Sequence, residues 1–167
     1  NLNPLAAGLP VVKFSVLMRI ADSTNVEFDN FRWSVYNSLV DPLFSLDFDN
    51  YSNKVSYILY GTNAPLVATD VSFTPGLDYT LIVTMNFAAN RWSATLNNSL
   101  LATNRPIAPP GATLDLGDID AEWLINNPTA PGDNYMLFDN YHVTAEAPTA
   151  LMEFLDRTDK GWALLRV

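Results

Sequence analysis

Apolar and polar residues alternate with a period of two along most of this chain, the pattern of strands that bury one face. In Val12–Ile20 every even position is apolar, while Lys13, Ser15 and Arg19 take three of the odd ones. Phe31, Trp33 and Val35 alternate with Arg32, Ser34 and Tyr36, and Phe44, Leu46 and Phe48 with Ser45, Asp47 and Asp49. Val55, Tyr57 and Leu59 continue the series. Tyr79, Leu81, Val83 and Met85 then stand against Thr80, Thr84 and Asn86, and Trp92, Ala94 and Leu96 follow. Further strands are predicted around Leu114–Leu116, Ile119–Ile125 and Tyr135–Glu146, with a last short one over Trp162–Val167.

The punctuation between these runs is that of an antiparallel protein. Asn97-Asn98, between Leu96 and Leu100, predicts a tight hairpin turn, because asparagine tolerates positive φ. Ala88-Ala89-Asn90 marks another turn, and longer loops are expected over Pro106–Gly111 and Asn126–Asn134. Only Thr149–Arg157 reads as helix: Thr149 is a capping residue type, and Ala150, Leu151, Phe154 and Leu155 make an apolar stripe. Phe-Asp-Asn followed by an aromatic occurs at Phe28–Phe31, Phe48–Tyr51 and Phe138–Tyr141 without a fixed period. Turn chemistry explains it as a strand-edge turn in which Asp and Asn bond nearby backbone. No linker divides the chain, so a single domain over 1–167 is expected, with its core at about 11–147 and the helix and short strand in 149–167.

Composition sharpens this picture. With 49% apolar and 16% charged residues among 167, the chain must bury a core rather than remain disordered. Seventeen asparagines and fourteen aspartates against four glutamates fit a turn-rich β protein. The net charge of −9 and the scattering of the nine basic residues speak against a nucleic-acid partner. Without cysteine there are no disulfides and no thiolate ligands or nucleophiles. No apolar run reaches the roughly 18 residues of a membrane span. Asn1–Pro4 has no basic region of the kind that opens a signal peptide.

Several segments together resemble one superfamily. Val12–Ile20 resembles an early strand of LamG-like domains, and Asp29–Asn37 followed by Leu43–Asn50 resembles the next hairpin of bacterial versions. Tyr79–Met85 with Asn90–Asn97 is similar to their central hairpin. Gly117–Trp123, Pro131–Tyr135 and Phe138–Tyr141 are similar to their closing strands. The resemblance, spanning about residues 11 to 147, is to the concanavalin A-like lectin/glucanase superfamily. It implies an all-β, two-sheet antiparallel jelly-roll sandwich, here with one short C-terminal helix. It also implies an exported bacterial protein, secreted or at the cell surface, with a glycan or polysaccharide partner. Such domains usually have an opening strand beside the closing one, whereas only Asn1–Pro10 precedes the first clear strand here.

The candidate chemistry is concentrated in Gly117–Glu122. Alternate residues of a strand share a face, so Asp118, Asp120 and Glu122 form an acidic row. The row is similar to the E-x-D-x-E signature of family 16 glycoside hydrolases, whose first glutamate is the nucleophile and last the acid/base. Retaining hydrolysis needs its carboxyl groups roughly 5–5.5 Å apart. Cα atoms four positions apart on a strand lie about 13 Å apart, and Asp118 is one methylene shorter than the glutamate it would replace. The alternative is a solvated strand face or a cation site. Calcium takes oxygen ligands from loops, and Asp118, Asp120, Asp133 and Asp139 are the candidate ligands.

Trp33 and Trp92 fall on the apolar parity of their strands and belong to the core. Tyr36, Tyr51, Tyr60 and Trp123 are the surface candidates for stacking on sugar rings. His142, the lone histidine, is assigned a structural place. Asn97-Asn98-Ser99 is formally a glycosylation sequon. The first reading is a non-catalytic carbohydrate-binding or adhesion module. A self-associating structural subunit of a cell surface or matrix, and a degenerate family 16-like hydrolase using Asp118, Asp120 and Glu122, are the alternatives.

Overall fold

A computed structural model of the protein describes residues 2–61, 64–148, 153–157 and 163–166. Two five-stranded antiparallel sheets face each other. The strands are β1 (Val11–Ala21), β2 (Asn30–Tyr36), β3 (Pro42–Asp49), β4 (Lys54–Leu59), β5 (Leu66–Ser72), β6 (Asp78–Asn86), β7 (Arg91–Leu96), β8 (Ser99–Arg105), β9 (Asp118–Leu124) and β10 (Tyr135–Glu146). The first sheet has the order β10-β1-β6-β7-β8 and the second β5-β4-β3-β2-β9. A separate two-stranded sheet pairs β11 (Glu153–Arg157) with β12 (Ala163–Arg166).

The alternation in the sequence is the division between faces. Val12, Phe14, Val16, Met18 and Ile20 of β1 are buried against Phe31, Trp33 and Val35 of β2 and Phe44, Leu46 and Phe48 of β3. Leu81, Val83 and Met85 of β6 and Trp92, Ala94 and Leu96 of β7 complete the layer. At its centre Trp92 of the first sheet stacks on Phe44 of the second, with centroids 4.1 Å apart and rings 8° from parallel. Tyr57 meets Trp92 edge-on at 5.6 Å, and the indole N–H donates to the Pro106 carbonyl at 3.1 Å. Trp33 and Trp92 are core residues, as their parity predicts.

Turn chemistry sets the register. Asn97 and Asn98 both adopt positive φ (46° and 66°), which joins β7 to β8 by a two-residue turn whose twist matches the strands. Asn90 (φ 51°) ends the β6–β7 turn and ties the loop after β8 back to it, its Oδ1 accepting from the amides of Ile107 and Ala108. The Phe-Asp-Asn motifs do two jobs. Asp49 and Asp139 bond local amides, as turn chemistry predicts. Asp29 is instead buried, and its carboxylate accepts from Trp123 Nε1 and the amides of Asn126 and Gly132. It holds the loop after β9 against the start of β2.

Three expectations change. Leu66–Ser72 is a strand that the alternation left unrecognised, while Leu114–Leu116 contributes only the bridge from Leu116 to Leu2. The helix expected over Thr149–Arg157 is replaced in its described part by β11, paired with β12 through Glu153↔Arg166 and Arg157↔Ala163. The rest of that helix, 149–152, lies outside the described residues. A nine-residue apolar stripe is too short to stand as a helix on propensity alone, and pairing with a neighbouring strand satisfies the same backbone groups.

Removing the central stack tests this account. Trp92→Ala empties the contact with Phe44 and Tyr57 and frees the Pro106 loop, so it is expected to cost about 3–5 kcal/mol in chemical denaturation. A loss below about 1 kcal/mol would show that the two sheets are held together elsewhere.

Candidate functional site

The outward face of the second sheet carries the residues on the polar parity. The register places Arg32 beside Asp47 and Glu122, and Ser34 beside Ser45 and Asp120. Tyr36 lies opposite Asp118. Antiparallel partners share a face, so these side chains form one surface, and Tyr60 adjoins it just beyond β4.

They are joined by hydrogen bonds rather than left to solvent. Arg32 grips Asp47 with a two-pronged pair, Nε to Oδ1 at 2.5 Å and NH2 to Oδ2 at 2.7 Å. This charge-assisted bond raises the Arg32 pKa, against the opposing effect of burial. The Tyr60 hydroxyl receives a bond from Ser45 at 3.0 Å and lies 3.5 Å from the Arg32 guanidinium. Ser34 and Ser45 share a 3.0 Å bond beneath them, both fully buried although on the outer parity. Tyr36 donates to Glu122 at 2.8 Å. Burial first, and then that bond, raise the Tyr36 pKa, so the phenol stays protonated and keeps donating.

A cleft of about 370 Å³ opens at one end of this face, lined by Tyr36, Ser38, Val40, Gly117, Asp118 and Asp120. Its walls are sewn together by side chains. Asn37 Oδ1 accepts from the amides of Leu39 and Asp41, and Asp115 accepts from the Ser38 amide and hydroxyl. Gly117 donates to the Tyr36 carbonyl at 2.8 Å. A Cβ at Gly117 would lie 2.0 Å from the Asn37 carbonyl oxygen, so only glycine allows the two segments to approach this closely. Val40 sits at φ 67°, a conformation a β-branched residue adopts only under strain.

The acidic row is genuine. Partial burial and the adjacent charges of Asp118 and Glu122 raise the Asp120 pKa. The hydroxyl of Tyr141 points at the same strand from the other sheet, bonding the Ile119 carbonyl at 3.1 Å.

Of the aromatic candidates, Tyr36 and Tyr60 share this face. Tyr51 lies in the β3–β4 turn, at the far end of the sheet from the cleft, and packs edge-on against Phe28. Trp123 is on the inward parity, with its N–H on Asp29. Among the metal candidates, Asp118 and Asp120 are neighbours on β9. Asp133 instead accepts bonds from Ser23 and Thr24, which draw its pKa well below the usual carboxylate range. Asp139 stands on the first sheet opposite Leu17. Among the described residues no three or more His, Asp or Glu side chains converge as a metal-holding group. His142 lies opposite Ser15 on the outer face of the first sheet. The sequence reading missed Arg32 and Asp47. Each sat visibly on the polar parity of its strand, but only the β2–β3 register makes them a pair.

No family model matches the sequence, and a search of curated proteins finds no match. Solved structures do match the fold. A Trypanosoma rangeli sialidase superposes with a TM-score of 0.60 at 16% identity over 86% of this chain. The chain spans 22% of that sialidase. A tetrameric galectin from the ball sponge Cinachyrella sp. gives 0.56 at 11% identity, covering 83% of this chain and 92% of the galectin. The carbohydrate-binding module CBM66 from Bacillus subtilis gives 0.52 at 11%, covering 80% and 74%. The chain therefore shares the two-sheet antiparallel jelly-roll fold of these structures.

Two measurements check the site's construction. Gly117→Ala must push the Asn37 segment outward, and a loss of about 1–3 kcal/mol in denaturant midpoint is expected; an unchanged midpoint would mean that the approach is not tight. Relieving the acidic row gives the second. In Asp118→Asn the Asp120 carboxyl, followed by carbon NMR, is expected to titrate at lower pH than in the unsubstituted chain. Because the folded pKa of Asp120 is raised, its contribution to stability is present below its unfolded pKa and lost as pH climbs through the folded one. Asp118→Asn should soften that loss, and an unmoved Asp120 titration would remove Asp118 as its cause.

Proposed function

We propose that this chain is a non-catalytic carbohydrate-binding module of an exported bacterial protein, and that it holds glycan on the outer face of the second sheet. The observation that carries the reading is the prearranged polar network of Arg32, Asp47, Tyr60, Tyr36 and Glu122 beside the cleft. Sugar hydroxyls are paired donors and acceptors. Guanidinium and carboxylate groups meet them in pairs, and a tyrosine ring covers the C–H face of a pyranose. A network already ordered in the free protein loses little side-chain entropy on binding. The galectin and the carbohydrate-binding module that share the fold lend support, as their names record glycan binding.

Tyr36 and Tyr60 are the stacking residues in this reading, and Arg32 and Glu122 orient the ring. Calcium belongs to the proposal only at Asp118 and Asp120, whose mutual repulsion a hard cation would relieve. The direct bond from Tyr36 gives the Glu122 carboxylate an orienting task in this reading.

A glycan array followed by calorimetry on the best hit tests the proposal. Saturable binding is expected, weakened about tenfold or more by Tyr36→Ala and by Arg32→Lys, which keeps the charge but loses the fork. Tyr51→Ala, at the other end of the sheet, should leave affinity unchanged. A blank array, or binding that ignores Tyr36 and Arg32, would reject this face as the site. Loss of binding with EDTA would place calcium in it, and indifference would remove calcium.

A further inference from the structure

One side of the sandwich is unfinished. Trp123 of β9 and Phe138 and Tyr141 of β10 lie on the inward parity, yet are 54%, 51% and 45% exposed. They cover buried residues: Phe138 meets Trp33 edge-on at 5.3 Å, and Tyr141 packs on Phe14 at 5.2 Å. Two apolar grooves of about 270 Å³ each open along this margin, and Tyr141 lines one of them. One is lined by Phe31, Trp123, Met136 and Phe138, the other by Leu2, Leu116, Ile119 and Val143. Among the described residues β10 pairs only with β1, along one edge, so its other edge presents backbone groups to a partner beside this slot, interrupted at the Asn140 bulge. A long open edge next to exposed core aromatics is a strand-binding surface.

We propose that the β11–β12 hairpin of the same chain docks along this free edge of β10 and covers the slot. β11 and β12 pair with each other in a separate two-stranded sheet, and an isolated hairpin is marginally stable in water. Their sequences carry Phe154, Leu155, Leu164 and Leu165, apolar groups whose burial is favourable. Six residues, 147–152, join Glu146 to Glu153, enough for a reversal that sets β11 antiparallel to β10. So short a tether gives the docked segment a millimolar effective concentration, roughly speaking.

Charge favours this occupant over a second copy of the sandwich. Residues 153–167 contain three acidic and three basic side chains, so the whole net charge of −9 lies on residues 1–152. A neutral hairpin approaches that surface unopposed, whereas a second acidic edge is repelled. Trp123 thereby becomes a core residue of the completed sandwich rather than a sugar platform. The proposal does not rest on the glycan reading: the slot opens between the sheets, with Asp118 and Glu122 of the outer face reaching only its rims.

Hydrogen–deuterium exchange on the full chain at low micromolar concentration tests it. Protection is expected at the β10 amides that do not bond β1. Phe154→Asp with Leu165→Asp, which leaves the sandwich untouched, should speed their exchange about tenfold or more and raise binding of an apolar dye, with the chain monomeric throughout. Leu165→Asp alone, on the same face of the hairpin as Phe154, is the milder variant should the double one precipitate. Exchange at β10 that is fast in the unsubstituted chain, or unaltered by these substitutions, would overturn the proposal. So would protection that grows with protein concentration alongside a dimer in light scattering, which would make the occupant a second copy.

Discussion

The fold depends on Trp92 being in three contacts at once. It stacks on Phe44 across the sandwich, meets Tyr57 edge-on and donates its N–H to the Pro106 carbonyl. A buried indole N–H that finds an acceptor avoids a desolvation cost, which the Trp33 N–H, buried without a partner, bears. The consequence is geometric. The distance between the sheets is set by a flat aromatic pair, and the loop after β8 is drawn over the end of the core by the same residue. Asn90 reinforces this by holding the amides of Ile107 and Ala108.

With the interior fixed, the outer faces are free to differ. The first sheet carries ordinary exposed polar residues such as the Arg19–Asp78 ion pair, which is open to solvent and contributes little. The second sheet carries a connected network. Arg32 and Asp47 satisfy one another through two bonds, and Ser34 and Ser45 are buried beneath larger neighbours. Such a layer is rigid because each member limits the rotamers of the next. A rigid polar surface with an adjacent cleft is suited to selecting a ligand by the directions of its hydroxyls, and poorly suited to burying an apolar one.

The two long margins of the sandwich also differ. Where β5 and β8 approach, Val67, Leu101 and Arg105 line a cleft of about 290 Å³; where β9 and β10 approach, aromatic residues on the inward parity remain half exposed. Tyr141 spans that gap with a single bond to the Ile119 carbonyl. One bond from one strand does not seal twelve residues of β10. The acidic row and the slot lie on opposite faces of β9, so the same strand serves two surfaces by its alternation alone.

Most of the strands, their buried faces and most of the turns were legible in the alternation and turn residues of the sequence. These follow from local rules: period-two burial, and asparagine at positive φ in the Asn97-Asn98 turn. It placed Tyr36, Tyr60, Asp118, Asp120 and Glu122 on the polar parity for the same reason. It could not decide which polar positions meet, because that depends on register between strands distant in the chain. Arg32 becomes part of a site only when β2 and β3 align it with Asp47, and Tyr36 only when it leans along its strand to Glu122. Parity also misleads at an edge. Trp123 alternates correctly, yet the strand order leaves its inward face half open to water. The strand at Leu66–Ser72 and the β11–β12 pairing were decided by tertiary structure alone, since a short apolar run takes whichever backbone partner lies within reach.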